Sequence, residues 1–153
     1  MTHHLAQVNI ARLVAPLESE ELADFVAALD EVNTDAENAP GFVWRLADES
    51  GNATGIAAFA WDVEDSAGVI VNLSTWESVE ALKDYIYDGR HVAMLRRRRE
   101  WFHKVPEATT ALWWVPAGHR PTTAEAEARV RSLREHGPSP FAFTLRETFP
   151  YRA

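Results

Sequence analysis

The sequence predicts an α+β fold of ferredoxin-like type, an antiparallel sheet with helices packed on one face. Three observations predict it. Stretches that alternate in period two are separated by stretches with helical periodicity. One connection runs directly from strand to strand. No glycine-rich turn joins a strand to a helix, as a doubly wound parallel sheet would require. The expected order is strand, helix, strand, an ambiguous short segment, strand, two helical segments, strand, helix, strand.

The first strand is "HLAQVNIARLV", with Leu5, Gln7, Asn9 and Ala11 on one face and Ala6, Val8, Ile10 and Arg12 on the other. Pro16 ends it. Ser19 is placed to cap a helix whose first turn carries Glu20 and Glu21, where the helix dipole favours them. Leu22, Phe25, Val26, Leu29 and Val32 give that helix its apolar stripe. After the "NAPG" turn, "FVWRLA" reads as a short strand with Phe42, Trp44 and Leu46 on one face and Val43 and Arg45 on the other. "DESGNATG" is a loop, and "IAAFAWDV" is either a short strand or a packed loop.

"VIVNLSTW" is β-branched and strand-like, with Val69, Val71 and Leu73 opposite Ile70, Asn72 and Ser74. Ser74 and Glu77 have the spacing of a capping box for the helix that follows. Gly89 interrupts that helix, and "HVAMLRRRREWFHK" forms its second segment. "TALWWVPAG" is a strand that sends Trp113 and Trp114 to opposite faces. Thr122 and Glu125 cap a third helix, which stops at Gly137 and Pro138, and "FAFTLRETF" reads as a last strand.

The chain has 153 residues, enough for one domain, with the helix and strand over about 120–150 as a C-terminal extension. Its formal net charge is -8, a field that repels polyanions and argues against nucleic acid as a partner. It has no cysteine, so thiolate metal sites and thiol catalysis are excluded. No run approaches the about 20 apolar residues that span a membrane, and the N-terminus lacks the pattern of a signal peptide. A soluble, cytoplasmic protein is expected.

Four arginines in a row, Arg96 to Arg99, stand out in so acidic a chain. On one continuous helix, Val92, Leu95 and Phe102 form the inward stripe. Arg97 then faces water, while Arg98 and Arg99 tend inward with His91 on the same side. An inward arginine needs a partner, because a buried unpaired charge is very costly. That partner is either a carboxylate of the chain or a bound anion gripped in bidentate fashion. His91 is either a general base or proton shuttle, or a half-buried histidine bonded to backbone. Asp62, Glu64 and Asp65 read as solubilising charge. The amide-bearing strand faces, Gln7 with Asn9 and Asn72 with Ser74, give with the tryptophans a polar and aromatic wall suited to a small-molecule pocket or an amide-lined interface.

The blocks "LAQVNIAR", "GFVWR", "LSTWESVEAL", "LRRRREWF", "LWWVPAGHRPT" and "GPSPFAFT" resemble a bacterial family of uncharacterised domains in the dimeric α/β-barrel superfamily. That superfamily also holds antibiotic-biosynthesis monooxygenases, muconolactone isomerase-like proteins and haem proteins such as chlorite dismutases. The resemblance covers nearly the whole chain. It implies a homodimer whose ferredoxin-like protomers pack sheet to sheet, with a cavity between sheet and helices. It marks Asn9, Trp44, Arg45, Trp76, His91, Arg98, Trp101, Trp114 and His119 as site candidates.

The expected function is a cofactor-independent monooxygenase or isomerase acting on an aromatic or polyketide-like substrate. Arg98 or Arg99 would hold the developing oxyanion, His91 would move the proton, Asn9 and Asn72 would orient substrate oxygens, and Trp44 and Trp114 would wall the ring. No cofactor is expected. The alternatives are a non-enzymatic protein that binds a metabolite or haem in the same cavity, and a structural dimer without ligand.

Overall fold

The computed structural model describes residues 2–47, 58–62 and 66–152. The loop expected over 48–55, the start of the ambiguous segment at Ile56, and Glu64 and Asp65 lie outside the described residues. Four strands, β1 (His3–Arg12), β2 (Phe42–Arg45), β3 (Val69–Trp76) and β4 (Thr110–Pro116), form one antiparallel sheet in the order β2-β3-β1-β4. The helices are α1 (Ala23–Asn38), α2 (Val79–Ile86), α3 (Gly89–Arg96), α4 (Arg98–Trp101) and α5 (Thr123–His136). This is the α+β, ferredoxin-like arrangement that the sequence predicts.

The pleat sorts the two sheet faces. Ala6, Val8, Ile10, Val71, Leu73, Ala111, Trp113 and Val115 share one face and pack with Ala126, Val130 and Leu133 of α5. Each such aliphatic side chain contributes about 1.5–3 kcal/mol when fully buried. The other face takes α1 to α4. Leu5, Trp76 and Leu112 pack with Leu82 of α2, and Leu13 packs with Leu22, Phe25 and Trp101, with Ile70 and Met94 at its edge. The C-terminal extension therefore adds a helix on the second face. It covers the aliphatic side of the sheet, and the amide-bearing side lies under α1 to α4.

The capping box of α5 forms as read: Thr122 Oγ1 accepts from Glu125 N at 3.1 Å, and Gly137 ends the helix at φ 75°. Gly41 makes the turn from α1 to β2 at φ 84°.

Five expectations are corrected. A bulge between Phe42 and Trp44 puts Phe42 opposite Trp76 and Trp44 opposite Thr75. An extra residue in one strand reverses its alternation, so Phe42 and Trp44 lie on opposite faces. Ser74 does not cap α2, because the strand runs on to Trp76; Ser78 is the cap and accepts from Ala81 N at 3.1 Å. The segment "FAFTLRETF" is not a strand. Only Phe143 pairs with β4, through two 2.8 Å bonds with Leu112. Pro138 and Pro140 cannot donate to a ladder, and the turns Ser139–Ala142 and Thr144–Glu147 use the local groups instead.

The fourth correction concerns the arginines. The helix breaks at Arg97, whose φ and ψ are -95° and 1°. Arg97 N bonds to Met94 O and Glu100 N to Arg97 O, both three residues apart. These tighter turns shift the helical phase. Arg98 and Arg99 are consequently exposed rather than inward.

The inward arginines are Arg12 and Arg134. Their side chains are 13% and 14% exposed, and both close on Asp62, whose side chain is 4% exposed. Asp62 is thus a buried counter-charge and not a solubilising one. It sits in a 3-10 turn, Ala60–Asp62, where the packed-loop reading of that segment holds. Glu127 of α5 fastens the same turn, accepting from Phe59 N at 3.0 Å and Trp61 Nε1 at 2.8 Å.

Candidate functional site

The site grows from the register of the sheet. On the face beneath α1 to α4, successive rungs across the strands change character. One end rung is aromatic and aliphatic: Phe42, Trp76, Leu5 and Trp114. The next is Arg45, Ser74, Gln7 and Leu112, and the next is Asn72, Asn9 and Thr110. Ile70 and Ala11 follow. A polar band two rungs deep thus lies between two apolar clusters.

β1 and β3 are the central strands, where side chains under a helical layer are normally buried. Asn9 and Asn72 are nonetheless exposed. The helices pack on the two ends of this face and leave its middle open to solvent, a trough in the sense that amides and hydroxyls lie there between two apolar clusters. Gln7, 6% exposed, donates from Nε2 to Asn72 Oδ1 at 2.6 Å and to Ser74 Oγ at 2.7 Å. Trp76 Nε1 donates to the same Ser74 Oγ at 2.9 Å. Asn9 Nδ2 donates to Thr110 Oγ1 at 2.9 Å. These bonds hold the amides and hydroxyls in one arrangement.

His91 stands on α3. Its Nδ1 lies 3.1 Å from Ile86 O, and its ring lies 5.1 Å from that of Tyr85. A carbonyl only accepts, so Nδ1 carries the proton and Nε2 the basic lone pair. Burial pushes the His91 pKa down against the opposing pull of Ile86 O and Asp88, which favours the neutral ring. Tyr85 in turn stacks on Trp76 at 5.2 Å and donates to Val32 O at 3.3 Å. Burial, with Asp35 and Asp88 nearby, pushes the Tyr85 phenol up to about 12.

The remaining candidates are scattered. Arg45 is on the trough face and is tied to Glu37 Oε2 at 3.0 Å. Trp44 lies on the opposite face, against the α5 cluster. Trp76 and Trp101 are 1% and 2% exposed and belong to the core. Trp114 is on the trough face, but the C-terminal segment covers it: its Nε1 donates to Phe149 O at 2.7 Å. Arg98 donates to Leu95 O at 2.9 Å on the outer surface. His119 is exposed and meets Glu125 Oε1 at 2.7 Å, at the cap of α5. Separately, a cleft of about 590 Å³ opens between the end of α1 and α2, lined by Asp35, Asn38, Asp84, Tyr85 and Asp88 among others. Its carboxylates set it apart from the amides and hydroxyls of the trough floor.

A family model described as "Domain of unknown function (DUF3291)" matches residues 4–153. The chain belongs to the DUF3291 family. No curated protein matches it. Solved structures similar to this DUF3291 chain include PA3566 from Pseudomonas aeruginosa, at 9% identity over 78% of this chain and 98% of that one, with a TM-score of 0.49. Rv0793 from Mycobacterium tuberculosis is 12% identical over 78% and 99%, with a TM-score of 0.47. A mutant of SnoaB, a cofactor-independent oxygenase from Streptomyces nogalater, is 13% identical over 76% and 94%, with a TM-score of 0.43.

Among the described residues of this DUF3291 chain, no group of three or more histidine or carboxylate side chains is placed to hold a metal ion. None of its described helices is long and apolar enough to cross a membrane. Gln7 and Ser74 share this face with Asn9 and Asn72, as the alternation groups them, and Thr110, which the sequence did not single out, joins them opposite Asn9. Their signal is alternation: each sits in phase with Asn9 or Asn72 on its own strand or across the register.

Proposed function

We propose that this DUF3291 protein binds a small aromatic or polyketide-like molecule over the amide floor and acts on it as a cofactor-independent monooxygenase or isomerase. One observation carries the reading: Asn9 and Asn72 are paired across the two central strands and exposed on a face otherwise closed by helices. Asparagine amides at the centre of a sheet are poor core material. They suit a site where substrate oxygens must be oriented.

The chemistry follows from the groups present. Asn72 Oδ1 is committed to Gln7, and Asn72 is exposed, which leaves its Nδ2 protons for solvent or a ligand. Together with the second Nδ2 proton of Asn9, they are donors for the negative charge that develops on an enolate or phenolate oxygen. His91, held as the Nδ1–H tautomer with a depressed pKa, is the proton acceptor of this scheme. Arg45 adds positive charge at the edge of the band. Arg98 and Arg99 have no part in it.

The test is a thermal-shift screen of phenols and hydroxyketones, followed by oxygen uptake and proton-exchange assays on each hit. A ligand shift that disappears in Asn72→Leu and Asn9→Leu is expected, with oxygen uptake or α-proton exchange in the wild type. A shift without either reaction makes the protein a binder. No shift with any compound ends the proposal.

A further inference from the structure

The unpartnered groups of the floor point to Gln7 as its organiser. Gln7 is 6% exposed on a central strand, and both protons of its Nε2 are spent, one on Asn72 Oδ1 and one on Ser74 Oγ. Ser74 Oγ has two lone pairs, and both are filled, by Gln7 Nε2 and Trp76 Nε1. Its own O–H proton therefore has to be donated elsewhere, and among the described residues it meets no acceptor. The same holds for Gln7 Oε1, which meets no donor among the described residues. An amide oxygen and a hydroxyl proton that find no protein partner are left to water or to a ligand.

We infer that Gln7 is a positioning residue which orients the Asn72 amide, and that the resulting floor selects a neutral ligand bearing both a hydroxyl and a carbonyl. This rests on the reading of the trough as a ligand site. The pattern is specific. Gln7 Oε1 is an acceptor for a ligand hydroxyl. The Ser74 O–H and the Asn72 Nδ2 protons are donors for a ligand carbonyl. Gln7, Asn9, Asn72, Ser74 and Thr110 carry no formal charge, and Arg45, in the rung of Ser74, is already tied to Glu37, so a ligand carboxylate loses its hydration without a new ion pair to replace it. A ligand with a carbonyl alone leaves Gln7 Oε1 unmet, and sites built to bond a hydroxyl discriminate strongly against analogues that lack it.

Two measurements test this. The first needs no ligand: hydrogen exchange of side-chain amides by 15N NMR, with the Asn72 signal assigned by its loss in Asn72→Asp. In the wild type the Gln7 Nε2 protons are expected to exchange slowly and those of Asn72 Nδ2 rapidly. Gln7→Glu replaces the donor with an acceptor-only carboxylate. The Asn72 amide is then expected to turn over, so that its Nδ2 becomes protected. Asn72 Nδ2 protection in the wild type, or no change in Gln7→Glu, overturns the positioning role.

The second measurement is affinity for 3-hydroxyacetophenone, acetophenone and 3-hydroxybenzoate by tryptophan fluorescence. The hydroxyketone is expected to bind about tenfold tighter than either of the others, a difference of about 1.4 kcal/mol. In Gln7→Met, with the thermal midpoint recorded to show that the fold persists, that advantage is expected to vanish. Equal binding of all three, or tighter binding of the benzoate, overturns the ligand class. An unfolded Gln7→Met leaves the wild-type ranking and the amide exchange to decide. Failure of every probe to bind counts against the trough as a ligand site, whereas the exchange data alone judge the role of Gln7.

Discussion

Arg134 Nη1 donates to Asp62 Oδ1 at 2.6 Å, and Arg12 Nη2 reaches the same oxygen from β1 at 2.7 Å. One buried carboxylate thus joins the first strand, the 58–62 segment and the last helix. Arg12 Nε also donates to Asp62 O at 2.8 Å, and Arg134 Nε to Ala108 O at 2.8 Å. Removing the carboxylate leaves two half-buried cations facing each other. Asp62→Ala is expected to lower the unfolding free energy by about 3 kcal/mol in urea titration.

The same carboxylate gives an acid dependence. Burial raises its pKa, but the hydrogen bonds and charges of Arg134 and Arg12 outweigh burial, and the net direction is down from 3.8. A depressed folded pKa contributes stability above the unfolded value and loses it as pH falls through the folded one. Wild type is therefore expected to lose stability below about pH 4 more steeply than Asp62→Asn. Urea midpoints measured down that range check the slope.

His91 gives a second, separate window. Its folded pKa lies below the ordinary histidine value of 6.5, because burial disfavours the charged ring. The unfolded chain then binds the proton first, so stability falls as pH drops below about 6.5 and levels off below the folded pKa. His91→Gln is expected to flatten that part of the curve. An unchanged slope in the variant shows that another group is responsible.

The surface arginines and the buried ones should behave differently. Arg98→Ala and Arg99→Ala are each expected to change stability by no more than about 0.5 kcal/mol and to leave ligand shifts intact. Arg12→Ala is expected to cost about 3 kcal/mol, because it breaks a buried pair. Chemical denaturation of the three variants side by side makes the comparison.

Gly41 has no room for a side chain. A Cβ there would lie 2.5 Å from Ala81 Cβ, and the backbone is at φ 84°. Gly41→Ala combines a clash against α2 with a left-handed conformation. It is expected to destabilise by more than about 1 kcal/mol, read as a lowered urea midpoint.

Much of the site's floor was legible in the alternation of two strands. Gln7 and Asn9 in β1, and Asn72 and Ser74 in β3, share a face because side chains repeat every two residues. The same rule separated Trp113 from Trp114. It failed for Trp44, since a one-residue bulge cannot be seen in the alternation of a four-residue strand. It failed for Arg98 and Arg99 because their placement assumed a continuous helix, and the break at Arg97 carries no glycine or proline to announce it.

The sequence by itself determined the α+β order, the composition of each strand face, the caps of α5 and the stop at Gly137, because these depend on neighbours a few residues apart. It also determined that inward arginines would need a carboxylate or a bound anion. Only the tertiary structure decided which arginines those were, Arg12 and Arg134 closing on Asp62 at sequence separations of 50 and 72. Only it decided that α5 covers the aliphatic face and that the amide face opens between two apolar clusters. Such pairings are fixed by which surfaces pack best across the whole chain, and local periodicity carries no record of the partner.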